Sequence, residues 1–237
     1  MLPGEASSLR YDAIFLDVDK TLLWVDVDIE GYVADLAPYA TNGALTVGQA
    51  EGPVWEGMRE HINQNINYPT EEELARFQRE NARKTANSLG LDVPTEILAE
   101  VLERRLLFNP YPESEGVMEE LISMNLPLYV VSNWDVGLVG VLESLNWTRY
   151  FNGIVASASV GSEKPEQAIF EEALRLADLA ERRDRIVHVG NDPISDVRGA
   201  ASCGMDAVLI EREGGLGAPE AVATLPDLRG LPAFVRG

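Results

Sequence analysis

Residues 13–21 read Ala13-Ile14-Phe15-Leu16-Asp17-Val18-Asp19-Lys20-Thr21, an apolar run followed at once by two carboxylates one residue apart. Four consecutive apolar side chains mark a strand buried on both faces, the habit of parallel sheets. Carboxylates just past the C-terminal end of such a strand stand where open α/β sheets place their chemistry. A pair so spaced can divide labour. One carboxylate attacks phosphorus, its neighbour manages protons, and a divalent cation screens their repulsion. Taken alone, residues 17–21 are equally the pattern of a turn with a solvated cap, so the decision rests on the rest of the chain.

After Leu23 the strand-and-helix rhythm gives way, over residues 24–109, to helical patterning. Pro53 is placed to open a helix at its first position, running from 54 to about 65. Thr70-Glu71-Glu72-Glu73 is a capping-box pattern, Leu74 and Phe77 begin an apolar face, and Gly90 suits a left-handed cap. A third helix spans 95–107, with Ile97, Leu98, Val101, Leu102 and Leu106 on one face. Asn109-Pro110-Tyr111-Pro112 reads as a linker. Residues 24–109 therefore form a helical insert, with hinges near 24–26 and 109–112.

From Glu113 the α/β alternation resumes. Helices are predicted over 117–124, 135–145, 166–177 and 196–203, and strands over 128–131, 153–156, 185–189 and 207–210. Gly137 and Gly140 weaken the second helix by about 1 kcal/mol each relative to Ala. Right-handed crossovers between such strands give a Rossmann-like parallel sheet with helices on both faces. Residues 1–23 and 110–237 make that α/β core, and the insert follows its first strand. The Gly- and Pro-rich tail after Glu211 carries no readable pattern.

Composition narrows the class. The chain has 237 residues, 46% hydrophobic and 24% charged, which suits one domain or a core with a smaller insert. A net charge of −20 argues against nucleic-acid partners and against anionic membranes, because both would repel it. No apolar run has the length of a membrane span, and residues 1–10 lack the pattern of a secretory signal. One cysteine, Cys203 in a run of small residues, excludes an internal disulfide and fits helix packing in a reducing cytoplasm. His61 and His188 are far apart, and His188, inside a strand, reads as a satisfied structural histidine.

Three further segments follow core strands. Val131-Ser132-Asn133 ends the second; the Ser132 hydroxyl and the N–H groups after it can hold a phosphate oxygen, though a simple helix cap has the same look. Lys164, in Glu163-Lys164-Pro165, can reach a phosphate and offset the carboxylates, or be a solvated surface lysine. Gly190-Asn191-Asp192-Pro193-Ile194-Ser195-Asp196 offers acidic groups that could complete an oxygen-rich magnesium site.

Taken in order, these four segments resemble the motifs of the haloacid dehalogenase superfamily, with the phosphoglycolate-phosphatase-like branch nearest in wording and a type-one helical cap matched by the insert. The resemblance covers the whole chain. It implies that Asp17 is a nucleophile forming an aspartyl-phosphate and that Asp19 is the acid and base. It implies that Ser132, Asn133, Lys164 and Thr21 hold the phosphate and order the first loop. Mg2+ would be held by Asp17, the carbonyl of Asp19, and Asp192 or Asn191, with Asp196 orienting Lys164 from behind. The substrate would be a small phosphorylated metabolite and the enzyme a cytoplasmic monomer or homodimer.

Two positions depart from the pattern. Lys20 stands where the family often has Gly, Asp or Asn. Asn191 stands where the first acidic residue after the glycine is usual, so Asp192 is displaced by one. Three other activities fit the fold. A dehalogenase typically carries Tyr at the position of Asp19, a phosphosugar mutase would use both aspartates, and a non-catalytic interaction protein usually lacks a motif residue. In the insert, Trp55, Arg59, His61 and Tyr68 are polar or aromatic candidates for substrate contact, though packing or solvated roles suit each.

Overall fold

The computed structural model describes residues 9–215 and 217–237. The reading of the N-terminus as free of a secretory signal falls mostly on residues 1–8, outside that range.

Six strands form one parallel sheet: β1 (Ala13–Leu16), β4 (Leu128–Ser132), β5 (Gly153–Ala156), β6 (Ile186–Gly190), β7 (Asp206–Ile210) and β8 (Ala223–Leu225), in the order β5-β4-β1-β6-β7-β8. β1 lies in the middle and is buried at every residue, as its unbroken apolar run requires. Successive side chains face opposite layers. Ile14 and Leu16 join one core with Leu128, Val130, Val187, Val189, Val208 and Ile210, while Ala13 and Phe15 join the other with Tyr129, Val131, Ile186, Ala207 and Leu209.

Helices α5 (Ser114–Ser123), α6 (Leu138–Ser144) and α10 (Leu231–Arg236) cover the first face through Val117, Met118, Leu121, Leu138, Leu142, Leu231 and Val235. On the second face lie α8 (Gln167–Ala177) and the short α9 (Gly199–Ser202), through Ile169, Phe170, Ala173, Leu174 and Ala200. Each Val, Leu, Ile, Phe or Met side chain among these contributes about 1.5–3 kcal/mol when fully removed from water. Cys203 closes α9 within this second core. The tail unreadable in sequence supplies β8 and α10. No described helix is long and apolar enough to cross a membrane.

Between β1 and α5 the chain leaves the sheet. It begins and ends this excursion as a two-stranded antiparallel ribbon, β2 (Leu23–Val27) against β3 (Leu106–Pro110), with Val25 opposite Phe108. The sequence alone does not announce this ribbon, and the helix expected over 95–107 stops short where it begins. That helix stops at Arg105, where Leu106 turns to extended backbone. A short alternating segment pairs only with a partner some eighty residues away, which no local pattern reveals.

Within the excursion are α1 (Ile29–Leu36), α2 (Val47–Gln64), α3 (Glu71–Ser88) and α4 (Thr95–Arg105), around a separate core of Tyr32, Leu36, Val54, Ala86, Leu98 and Val101. α2 starts seven residues before the predicted position. Thr46 and Gln49 form a reciprocal cap, leaving Pro53 inside the helix. That early cap outweighs proline's preference for a first turn. Arg105, at the end of α4, bonds Asp28 at the start of α1 and Asp35 near its end, both at 2.8 Å, so the first and last helices of the segment are tied together. A single-turn helix, α7 (Ser157–Val160), follows β5.

Candidate active site

The site forms where β1, β4 and β6 end side by side. Asp17 leaves β1 with its N–H bonded to the Val189 carbonyl of β6 at 2.9 Å. The chain then folds tightly on itself: the Val18 carbonyl accepts from Thr21, Leu22 and Leu23, and Lys20 donates to the Leu23 carbonyl. Lys20 sits at φ 59° to permit this turn, a left-handed conformation that an unbranched side chain tolerates better than a β-branched one. The Asp19 carbonyl stands outside the loop's own bonds.

Asp17 is buried, and both carboxylate oxygens are held. Oδ1 accepts from Ser132 Oγ at 2.9 Å and from Lys164 Nζ at 2.7 Å; Oδ2 accepts from Thr21 Oγ1 at 3.1 Å. Lys164, only 3% exposed, also bonds Asp196 Oδ1 at 2.6 Å. Asp196 in turn meets His188 Nε2 at 2.9 Å and accepts from the Asp192 N–H at 2.9 Å. One buried ammonium thus lies between two buried carboxylates.

The charges sort themselves accordingly. Burial works against the ionised form of Asp196, but Lys164 and His188 overcome it and hold its carboxyl well below the usual range. The second negative charge around one cation is the costly one, and it falls on Asp17, which burial and Asp196 push upward against the pull of Lys164. Burial opposes the Lys164 charge too, yet the two carboxylates raise its pKa above that of a free lysine. Asp19, partly buried beside Asp17, is raised by desolvation first and by Asp17 second. Burial holds His188 below the ordinary histidine value. Its Nδ1 has no partner among the described residues, so the neutral ring carrying its hydrogen on Nε2, donated to Asp196, is the form that fits.

Two loops aim these groups. The Asn133 side chain, expected among the phosphate-holding groups, is committed at both ends to the Lys164 backbone: Nδ2 donates to its carbonyl at 2.9 Å and Oδ1 accepts from its N–H at 2.7 Å. It fixes the lysine's loop, leaving a backbone N–H as its own means of touching an anion. After β6, Asp192 Oδ1 accepts from the N–H groups of Ile194 and Ser195. Its carbonyl takes both Asp196 and Val197 N–H groups and opens a π-helical turn, Pro193–Arg198. The helix expected over 196–203 thus begins three residues earlier, as a π turn that runs into α9. Gly190 is required by close approach, since a Cβ there would lie 2.1 Å from Asp196 Cγ.

The residues present fit a hard cation. Among the described residues no group of three or more His, Cys, Asp or Glu side chains converges, but magnesium commonly takes one or two carboxylates and fills its octahedron with waters and substrate oxygens. Asp17 Oδ2, the Asp19 carbonyl, which accepts no hydrogen bond among the described residues, and the remaining oxygen of Asp192 are donors of that kind, with the Asn191 amide the alternative to Asp192.

Some residues matter more than their sequence suggested. His188 is structural in burial, yet its contact is Asp196 itself; its spacing two residues before Gly190 on the same strand was the available signal. His61 of α2 reaches the loop after β4, with Nε2 2.8 Å from Asp135 Oδ2, and nearby the helical turn Asn65–Asn67 packs against α7. Tyr68 stacks on Phe77, Trp55 packs into the insert's core and Arg59 is exposed.

A doubly covered parallel sheet with a carboxylate–lysine–carboxylate cluster at its carboxyl edge defines an α/β enzyme with its chemistry at the strand ends. The model of the haloacid dehalogenase-like hydrolases matches residues 11–204, and the chain belongs to that family. It is 28% identical over 213 residues to glyceraldehyde 3-phosphate phosphatase of Methanothermobacter thermautotrophicus, covering 85% of this chain and 86% of that protein. It is 34% identical over 134 residues to phosphoserine phosphatase of Thermus thermophilus, covering 56% of this chain and 52% of that one. The structure of L-2-haloacid dehalogenase from Xanthobacter autotrophicus superimposes with a TM-score of 0.66 at 18% identity, covering 96% and 99% of the two chains, a likeness of fold.

Proposed function

We propose that the chain is a magnesium-dependent phosphatase that hydrolyses a small phosphate monoester through an aspartyl-phosphate on Asp17. The observation that carries this is the pairing of a clamped carboxylate, Asp17, with a second one, Asp19, whose pKa is raised by burial and by Asp17 itself. A carboxyl whose pKa is raised beside a nucleophile is better suited than a free one to protonate a leaving alkoxide. Halide needs no such proton, so Asp19 favours phosphate esters over haloacids. Likeness to two phosphatases of small metabolites points the same way.

In this mechanism Asp17 attacks phosphorus, the bond to the leaving oxygen breaks, and Asp19 gives that oxygen its proton. Asp19 then takes a proton from the water that cleaves the acyl-phosphate, assistance worth about 10²–10⁴ in rate. Lys164 and Ser132 hold non-bridging oxygens, with Asp196 and Asn133 fixing the lysine and Thr21 the loop. Asp17, the Asp19 carbonyl and Asp192 or Asn191 would hold Mg2+, which supplies charge neutralisation on the transferring group. Residues 24–109 act as a cap over the core of 1–23 and 110–237, and the His61–Asp135 contact joins the two away from the ribbon. Closure of this kind excludes water and meets the leaving group. The reading includes a cytoplasmic location, supported by the single cysteine, and a monomer or homodimer.

The test is phosphate release from sugar, nucleotide and short-acid phosphates with and without magnesium, alongside Asp17→Asn. Turnover that needs magnesium and vanishes in the variant supports the reading. Folded protein that releases no phosphate from any ester refutes it.

A further inference from the structure

We propose that Arg212 is a positioning residue for the loop that carries Asp19. Its kinetic consequence rests on the phosphatase reading above; its structural consequence rests on geometry alone. Arg212 follows β7, in the tail where the sequence showed no pattern. Its Nη2 donates to the Thr21 carbonyl at 2.9 Å, and Nε approaches the Lys20 carbonyl at 3.4 Å. Nη1 donates to Glu113 Oε1 at 2.7 Å. The guanidinium carbon lies 3.4 Å from the centroid of the Tyr111 ring, and that ring lies 5.0 Å from Trp24.

These partners belong to two chain segments that leave and re-enter the core. Lys20, Thr21 and Trp24 lead out along β2; Tyr111 and Glu113 follow β3 back. The two are already stitched at Leu22, whose carbonyl accepts from the Tyr111 N–H at 3.1 Å and from Ser114 Oγ at 2.6 Å. Arg212 adds the contact on the carbonyls immediately after Asp19.

Asp19 depends on its backbone for placement. Asp17 has three side-chain donors, but among the described residues the Asp19 carboxylate meets only backbone N–H groups, that of Lys20 and that of Val25 at 3.4 Å, the latter long for a hydrogen bond. What aims Asp19 is the left-handed turn at Lys20, and the outward carbonyls of that turn meet Arg212. The planar fork reaches Glu113, Thr21 and Lys20 from three separate nitrogens and lays its face on the Tyr111 ring; a lysine has one nitrogen and no such face, so it does not reproduce the set. Displacing a proton donor by about 1 Å can cost on the order of 100-fold in rate.

The competing account is a buried ion pair with Glu113 and nothing more. Two variants separate the accounts. Arg212→Lys retains a cation for Glu113 but loses the fork; the double variant Glu113→Gln/Arg212→Met removes both charges, so no buried carboxylate is left alone. Hydrogen exchange of the full chain should quicken at the amides of residues 20–23 in both variants and stay unchanged in β1. On an alkyl phosphate kcat should fall about 10- to 100-fold with KM within about twofold. The defect should shrink on p-nitrophenyl phosphate, whose acidic leaving group needs little proton assistance. Unchanged exchange at 20–23, quickened exchange with unchanged kcat, or equal losses on both esters would overturn the proposal. A wild-type chain that hydrolyses neither ester overturns the phosphatase reading and the kinetic role with it, while exchange still decides the clamp.

Discussion

Replacing Lys164 by methionine tests the charge arrangement directly, because the side chain keeps similar length while the ammonium disappears. Asp17 Oδ1 and Asp196 Oδ1 lie 2.7 and 2.6 Å from the same nitrogen, so the two oxygens are roughly 5 Å or less apart. At an effective dielectric of about 20, two unit charges at that distance repel by about 3 kcal/mol. The lost attraction to the lysine acts in the same direction, and breaking a buried pair by removing one partner typically costs about 3–5 kcal/mol. Against a total stability of about 5–15 kcal/mol the variant still folds. Its melting temperature should fall by roughly 6–20 °C, at about 2–4 °C per kcal/mol for a chain of this size. The discriminating comparison is Lys164→Met with Asp196→Asn added. Neutralising Asp196 removes the repulsion, so calorimetry should show most of the lost stability restored. Phosphate release should stay at least about 100-fold down, since the cation that holds the phosphate in the proposed mechanism is still missing. A single variant as stable as wild type, or a double variant no more stable than the single one, would refute the electrostatic reasoning.

Gly190→Ala places a methyl 2.1 Å from Asp196 Cγ; Asp196 cannot retreat without leaving Lys164 and His188, so the variant should lose about 1–3 kcal/mol in urea unfolding and phosphatase activity with it. Asp19→Asn should keep the wild-type melting temperature and lose about 10²–10⁴ in kcat, measured by phosphate release from an alkyl ester. His61→Leu should speed hydrogen exchange in residues 65–67 and 157–160, where the insert meets the core, and leave the β2–β3 ribbon unchanged. Hydrogen bonds from Arg105 and then Arg104 lower the Asp35 carboxyl from its ordinary value to about 2. Its stabilising contribution is therefore fully present above about pH 4 and is lost as pH falls through about 2. The difference in melting temperature between wild type and Asp35→Asn should accordingly close on acidification.

The strands were legible because their signal is local. Ala13–Leu16, Leu128–Ser132 and Gly153–Ala156 are apolar runs with turn residues at their ends, and burial on both faces of a parallel sheet demands nothing more distant than that. The candidate residues were legible for a related reason. Strand ends of one parallel sheet converge in space, so groups that each follow a strand are brought together whatever their separation in sequence. Asp17, Ser132 and Lys164 are in contact across separations of 115 and 147 residues.

What stayed hidden depends on pairing. β2 and β3 are ordinary short segments until each meets the other, and α2 could be dated from Pro53 only by overlooking the Thr46–Gln49 cap. Asn133 reads in sequence as a phosphate contact because it follows Ser132 at a strand end; only the approach of the Lys164 backbone shows where its amide goes.

By itself the chain determined the parallel sheet, its alternation of strand and helix and the acidic, oxygen-rich character of the strand ends, since those follow from hydrophobic periodicity and residue type. Tertiary structure alone decided that one ammonium is shared by Asp17 and Asp196, that His61 meets Asp135, and that Arg212 from the tail grips the loop after Asp19. Each of these is a bond between groups distant in sequence. Its strength depends on distance and burial, and neither exists until the chain has folded.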